Sequence, residues 1–191
     1  MTKDTKTALL VFAETAARTR GFDGFSYADL AEAVGIRKAS IHYHFPTKAI
    51  LTAALMERYH ANISHLCEDI ARLHETAGAR LLGLIDLYRT ALGGGRTLCL
   101  CVSLTASRDS LSEDVTDKIN AFRAMMIDWL SDVFTFGKND GTISGVTQPV
   151  HEARATLALL EGAHLAARAE EDVFVFDRAV EAISARCREQ D

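Results

Sequence analysis

Proline is nearly absent from this sequence, with two in 191 residues, and glycine is sparse at twelve. With so few breakers, long stretches can run uninterrupted as helix. Alternation at the strand period is missing beyond a few residues. The best β candidate, VFVF at 173–176, lies between helical runs and is too short to build a sheet. No apolar run reaches the roughly 18 residues that would mark a membrane span. The N-terminal residues MTKDTKTALLVFAETAARTR carry acids on both sides of a short apolar stretch and no small-residue cleavage site, so they do not read as a signal peptide, and a cytoplasmic protein is expected. The four cysteines, Cys67, Cys99, Cys101 and Cys187, form no disulfide framework and fit a reduced compartment. Metal-ligand spacing is missing too. His42 and His44 are two apart and would point about 200° away from each other on a helix, and the other five histidines are isolated or wrongly spaced. Neither a metal nor a cofactor is expected.

What is present is helical period. Hydrophobic residues make up 48% of the chain and charged ones 25%, which suits a globular protein with a sizeable core. Apolar residues recur at spacings of three and four through most of its length. The pattern predicts about nine helices: 4–20, 27–34, 37–45, 48–73, 79–92, 99–106, 112–134, 150–171 and 175–189, with 137–149 as a loop. The fold class expected is all-α, with an N-terminal three-helix domain over 1–47 and a larger helical domain over 48–191.

Charge is distributed unevenly. The net charge is −5, yet residues 1–48 carry seven Lys/Arg against five Asp/Glu, and no acid occurs between Ala33 and Met56. An acidic body with a mildly basic head points to a polyanion at the head only. Within the acid-free stretch, residues 26–45 read as helix, tight turn, helix. Ser26 is an N-cap with Asp29 three residues on. Gly35 stands where a helix end needs a left-handed residue. Leu30, Val34, Ile36 and Ile41 can form the seam, and Pro46 ends the second helix. This is the pattern of a DNA-binding helix-turn-helix. Arg37, Lys38, Ser40, His42 and Tyr43 are left on the exposed sides of the short second helix. Arg37 and Lys38 fall in its first turn, where the dipole disfavours cations by about 0.3–1 kcal/mol each. That placement makes sense if the turn faces phosphates and base edges. Lys48, in the first turn of the next helix, joins that turn's N–H groups as a phosphate site. The residues expected to meet DNA are Ser26, Tyr27, Arg37, Lys38, Ser40, His42, Tyr43, His44 and Lys48.

Residues 21–51, GFDGFSYADLAEAVGIRKASIHYHFPTKAIL, resemble the N-terminal signature of the TetR family of bacterial transcriptional regulators. The resemblance rests on Gly-aromatic, the Ser cap, Leu-Ala, Gly35-Ile36 and a helix ending His44-Phe45 with Lys48 three residues on. His42 departs from it, since the family usually carries Tyr there, and a histidine makes that contact pH-dependent. Arg37 also departs, standing where a small Ser or Thr is frequent. The resemblance implies a homodimer on a palindromic double-stranded operator, a small-molecule effector in the C-terminal domain, and repression relieved when a population shift of a few kcal/mol releases the DNA.

For the dimer surface, Ala155, Leu159, Gly162, Ala166 and Ala169 share one side of the penultimate helix, and Phe176, Val180 and Ile183 extend it. For the effector chamber, Phe122, Met125 and Trp129 crowd one helix, and Tyr59, His65 and Tyr88 offer polar points. Cys99 and Cys101 form an alternative, a redox or electrophile sensor. If Thr97 caps their helix, Cys99 lies in its first turn, where a thiolate is favoured. A helical interaction protein or an enzyme built on Cys99 or Cys101 with His164 is a distant alternative. No nucleophile elbow, phosphate loop or paired carboxylate supports catalysis.

Overall fold

The computed structural model describes residues 2–187, with side chains from Thr5 onward. The described residues are all-helical: α1 (Thr2–Arg20), α2 (Tyr27–Val34), α3 (Lys38–His44), α4 (Lys48–Leu73), α5 (Ala77–Ala91), α6 (Leu100–Thr105), α7 (Glu113–Asp140), α8 (Pro149–Glu170) and α9 (Val173–Ser184), with a 3₁₀ turn at Arg108–Ser110. The β-type pairing among them is an isolated bridge between Ile143 and Cys187. The VFVF segment opens α9 instead of forming a strand. Asp172 caps it, its carboxylate accepting from the Phe174 N–H at 2.9 Å. Helix α7 outruns its expected end near Phe134 by passing through Gly137. A Cβ there would stand 2.6 Å from Ile143 Cδ1, so the bare backbone is what lets the 141–148 segment pack against the helix.

The chain forms two compact units, one of residues up to Ala61 with Leu100–Ala121, the other of Asn62–Cys99 with Phe122 onward. In the first, α1 buries Leu9, Ala13, Ala16 and Ala17 and packs on α2 and α6. The Ser103 hydroxyl of α6 donates to the Ala17 carbonyl at 2.5 Å. Lys118 bridges Glu57 at 2.9 Å and Asp114 at 3.2 Å. The α1–α2 connection is held from α4. Phe22 and Phe25 are both buried there, and the Lys48 ammonium donates to their carbonyls at 2.5 and 2.6 Å. It also lies over their rings, 4.5 and 4.3 Å from the centroids, in cation–π geometry. Burial lowers the Lys48 pKa, against the opposing pull of Asp23 and Asp29.

In the second unit α8 packs along α9, and α5 lies against both. His164, fully buried on α8, ties these elements together. Its Nδ1 accepts from the Cys99 N–H at 3.1 Å, so the ring hydrogen is on Nε2, which donates to the Tyr88 carbonyl at 2.9 Å. Its ring meets Tyr88 and Phe176 edge-on. Asp140 joins the end of α7 to the start of α5, accepting from the Ala77 N–H at 2.9 Å and from both the N–H and hydroxyl of Thr142. Burial alone would raise its pKa, but these donors outweigh burial and hold the carboxyl below its usual value. Arg89 and Asp177 form a bidentate pair at 2.7 and 2.9 Å between α5 and α9.

Three residues read from the sequence as dimer contacts, Phe176, Val180 and Ile183, are core of the protomer, buried at four- and three-residue spacing along α9. The reason is geometric: the apolar side of α9 is the one that covers α5 and α8 in its own chain. Two substitutions test the anchoring contacts. Lys48→Met strands two carbonyls in the first unit and should lower stability by about 1–3 kcal/mol, seen as a lower urea midpoint. His164→Leu takes the acceptor from a buried N–H and should cost about as much. Denaturation midpoints equal to wild type would show that these contacts are not structural anchors.

Candidate nucleic-acid interface

Helix α2 starts at a complete capping box. The Ser26 side chain accepts from the Ala28 and Asp29 N–H groups, and the Asp29 carboxylate accepts from the Ser26 N–H at 2.6 Å and its hydroxyl at 2.8 Å. The Ser26 hydroxyl bond, followed by the backbone N–H, keeps the Asp29 pKa below its ordinary value. Gly35 closes the helix at φ 71°, in the left-handed region, its N–H bonding back to Ala31 and Glu32. A Cβ at Gly35 would meet nothing within 4 Å, so only its backbone conformation calls for glycine. Arg37 then serves as the extended N-cap residue of α3, without a side-chain cap bond.

Helix α3 has seven residues and points Ile41 inward with no exposure. Arg37, Lys38, Ala39, Ser40, His42 and Tyr43 are exposed, and His44 is half-buried. Tyr43 is 80% exposed, a rare position for a large aromatic ring, and its ring meets His44 edge-on at 5.2 Å. Two concavities flank the helix. One, about 580 Å³, is lined by Thr5, Ile36, Arg37, Ala39, Ser40, Tyr43 and His44. The other, about 300 Å³, is lined by Phe25, Ser26, Tyr27, Lys38, His42, Thr47 and Lys48. Neither lining contains a carboxylate. A helix presenting two cations, hydroxyls and an exposed ring, with no acid, has the donors that base edges and phosphates accept.

Two expected contacts lie deeper than the sequence reading placed them. Tyr27 is 7% exposed, and its hydroxyl donates to the Phe45 carbonyl at 2.8 Å, with burial pushing its pKa up to about 12. The Lys48 ammonium sits among the carbonyls of Phe22 and Phe25 rather than reaching outward. Each is held by carbonyls of buried phenylalanines that need donors, Phe45 at the end of α3 for Tyr27 and Phe22 and Phe25 of the α1–α2 loop for Lys48. Thr5, Ile36, Ala39 and Thr47 line the concavities without having been singled out as site residues. Thr47 had a local signal, the position after Pro46, and its hydroxyl oxygen accepts from the Ile50 N–H at 3.2 Å. Thr5 had none, because α1 brings it from thirty residues away.

The residues expected around an effector fall in both units. Tyr59 and Cys101 belong to the first unit, whereas Tyr88, Cys99, Phe122, Met125 and Trp129 belong to the second. Tyr59, Tyr88, Cys99, Cys101 and Phe122 are buried, and Met125 and Trp129 are half-buried. His65 does not join them. Its side chain is 74% exposed beside Glu68 and Asp69, because it lies on the solvent side of α4. Thr97 does not cap α6. Its hydroxyl donates to the Ala91 carbonyl at 2.7 Å, and the helix begins only at Leu100.

Residues 9–55 match the family model described as bacterial regulatory proteins, tetR family. The HTH-type transcriptional repressor NemR of Escherichia coli strain K12 is 26% identical over 170 residues, which cover 86% of this chain and 84% of NemR. A TetR-family transcriptional regulator from Agrobacterium tumefaciens superposes with a TM-score of 0.92 at 26% identity, covering 98% of this chain and 99% of its own. A TetR regulator from Legionella pneumophila gives 0.85 at 25% identity, covering 95% and 96%. Helix-turn-helix, helix order and these similarities agree: residues 9–55 match the tetR-family DNA-binding domain, and the chain shares the fold of TetR-family transcriptional regulators.

Proposed function

We propose that the protein is a homodimeric repressor that holds a palindromic operator through two copies of α3 and lets go when a small molecule binds its C-terminal helices. The observation that carries this is the acid-free exposed side of α3, with Arg37, Lys38, Ser40, His42 and Tyr43 facing solvent on a helix anchored by Ile41. Residues 1–47 are the DNA-reading part in this reading and 48–191 the effector-binding and dimerising part, working in the cytoplasm without catalysis. Arg37 reads a base edge, Lys38 and His42 contact the backbone, and Ser26, Tyr27, His44 and Lys48 position the helix.

For the dimer, α8 carries the supporting feature. Ala155, Ala158, Gly162, Leu165, Ala166 and Ala169 are all exposed, at helical spacing on one side, and Phe174 at the start of α9 is 61% exposed. Small residues permit close helix approach, and two copies would cover an apolar strip that a lone protomer leaves in water. For the effector, Tyr88, Phe122, Met125 and Trp129 of the second unit are the candidate contacts, largely apolar with one phenol. Reactive thiols need access to solvent, and Cys99 and Cys101 are 2% and 0% exposed, which favours a noncovalent ligand.

Arg37→Ala should lower affinity for a duplex selected from a random pool by about 1–3 kcal/mol and relax preference at one position in each half-site. Unchanged affinity and unchanged preference would remove Arg37 from the reading face. Gly162→Leu tests the dimer without disturbing the protomer, since a Cβ at Gly162 meets nothing within 4 Å. Light scattering at micromolar concentration should show dimer for wild type and mostly monomer for the variant. A monomeric wild type, or a variant that dimerises normally, would overturn the α8 assignment.

A further inference from the structure

Two imidazoles sit on α3, and they are held differently. His44 is half-buried against Tyr43. His42 is exposed and lines the smaller concavity with Ser26, Tyr27, Lys38, Thr47 and Lys48. Its Nδ1 lies 3.2 Å from the Pro46 carbonyl oxygen. A carbonyl can only accept, so Nδ1 must carry a hydrogen. The neutral ring has one N–H, and it is used there. Nε2 then presents a lone pair. The ring packs on Tyr27 with centroids 4.9 Å apart, and Tyr27 is itself fixed by its bond to Phe45.

A DNA phosphate offers only acceptors. Against it the neutral form of His42 sets a lone pair toward an oxyanion, which repels. With one proton taken from solvent onto Nε2, the same ring becomes a cationic donor at the same place, its Nδ1–H still on Pro46. We propose that His42 contacts a DNA phosphate only as the imidazolium, so that a protomer whose His42 is neutral in the free protein takes up a proton there when it binds DNA. This rests on the reading of α3 as the DNA-contacting helix.

The neighbours leave this task to His42. From α2, Tyr27 is neutral across the range in which imidazoles titrate, and its hydroxyl is bonded to Phe45. From α4, the Lys48 ammonium donates to two carbonyls. From α3 itself, Lys38 is exposed and adds a positive charge. Asp23 and Asp29 act on Lys48, and among the described residues neither forms an ion pair with His42. The bound phosphate would therefore be the anion that favours the charged ring. The sign follows. With rising pH the ring loses its second proton and with it the contact, within the interval of about pH 5–8 where histidines change charge.

The test uses the full chain and a duplex selected from a random pool at pH 6. Affinity is measured by fluorescence anisotropy from pH 5.5 to 8.5 at fixed ionic strength. Wild type should weaken with rising pH, by up to tenfold per pH unit for each titrating histidine. Its logarithmic salt slope should be steeper at pH 6 than at pH 8 by about 0.9 per protonated contact. His42→Gln, which keeps a donor at every pH, and His42→Phe, which has none, should both lose this excess pH dependence. His44→Gln should keep it. Calorimetry in two buffers of different ionisation heat should show proton uptake in wild type and its reduction in His42→Phe. A His42→Phe protein with the wild-type pH profile and proton uptake would overturn the proposal, and so would a wild-type affinity independent of pH. Failure of wild type to bind any selected duplex at any pH would instead overturn the reading of α3 on which the proposal rests.

Discussion

Helix α3 is seven residues long, far below the roughly 12–15 at which an isolated helix becomes even marginal in water. Its conformation must therefore come from what surrounds it, and much of the first unit serves that end. Ile41 and Phe45 are buried without meaningful exposure and anchor one side of the helix. The Tyr27 hydroxyl takes up the Phe45 carbonyl, fixing the helix end to the start of α2. Gly35 sets the turn that lets α2 and α3 cross. Lys48 then ties the beginning of α4 to the loop ahead of α2 through two carbonyls and two aromatic faces. With the inward side so tightly held, the outward side is free of any packing role, and its residues can be chosen for what they contact.

That freedom explains the charge pattern. The chain is acidic overall, and its carboxylates work elsewhere: Asp29 in a capping box, Asp140 across the α7–α5 junction, Asp177 against Arg89, and Glu57 and Asp114 around Lys118. Over Ala33 to Met56 none remains. Nearly two-thirds of that interval is α3 and the first turns of α4, where acids near a helix start would ordinarily be welcome. Their exclusion makes stability secondary to an electropositive surface. The second unit has the opposite emphasis. It is knit by neutral and paired contacts, with His164 joining α5, α8 and the residue that leads into α6.

Sequence pattern reached the helix count, the all-helical class, the capping box at Ser26, the left-handed Gly35 and the inward Ile41. Each of these is a local statement: period, cap and turn chemistry act over a few residues and can be read without knowing what lies across the fold. The exposed residues of α3 follow from the same local logic, because once Ile41 points in, Arg37, Lys38, Ser40, His42 and Tyr43 have little choice but to point out.

What depended on residues far apart in the chain was decided by tertiary structure alone. Lys48 looked like a surface cation until Phe22 and Phe25, more than twenty residues earlier, brought two carbonyls to its ammonium. Tyr27 looked available until Phe45 took its hydroxyl. Phe176, Val180 and Ile183 made an apolar face that periodicity could identify but could not assign, since a face covered by α5 and α8 of the same chain has the same spacing as one covered by a second copy. His65 shows the converse, a polar residue on a helix whose solvent side was not marked in its own sequence. Periodicity says that a face is buried. Only packing says against what, because hydrophobic burial is non-directional and carries no label of its partner.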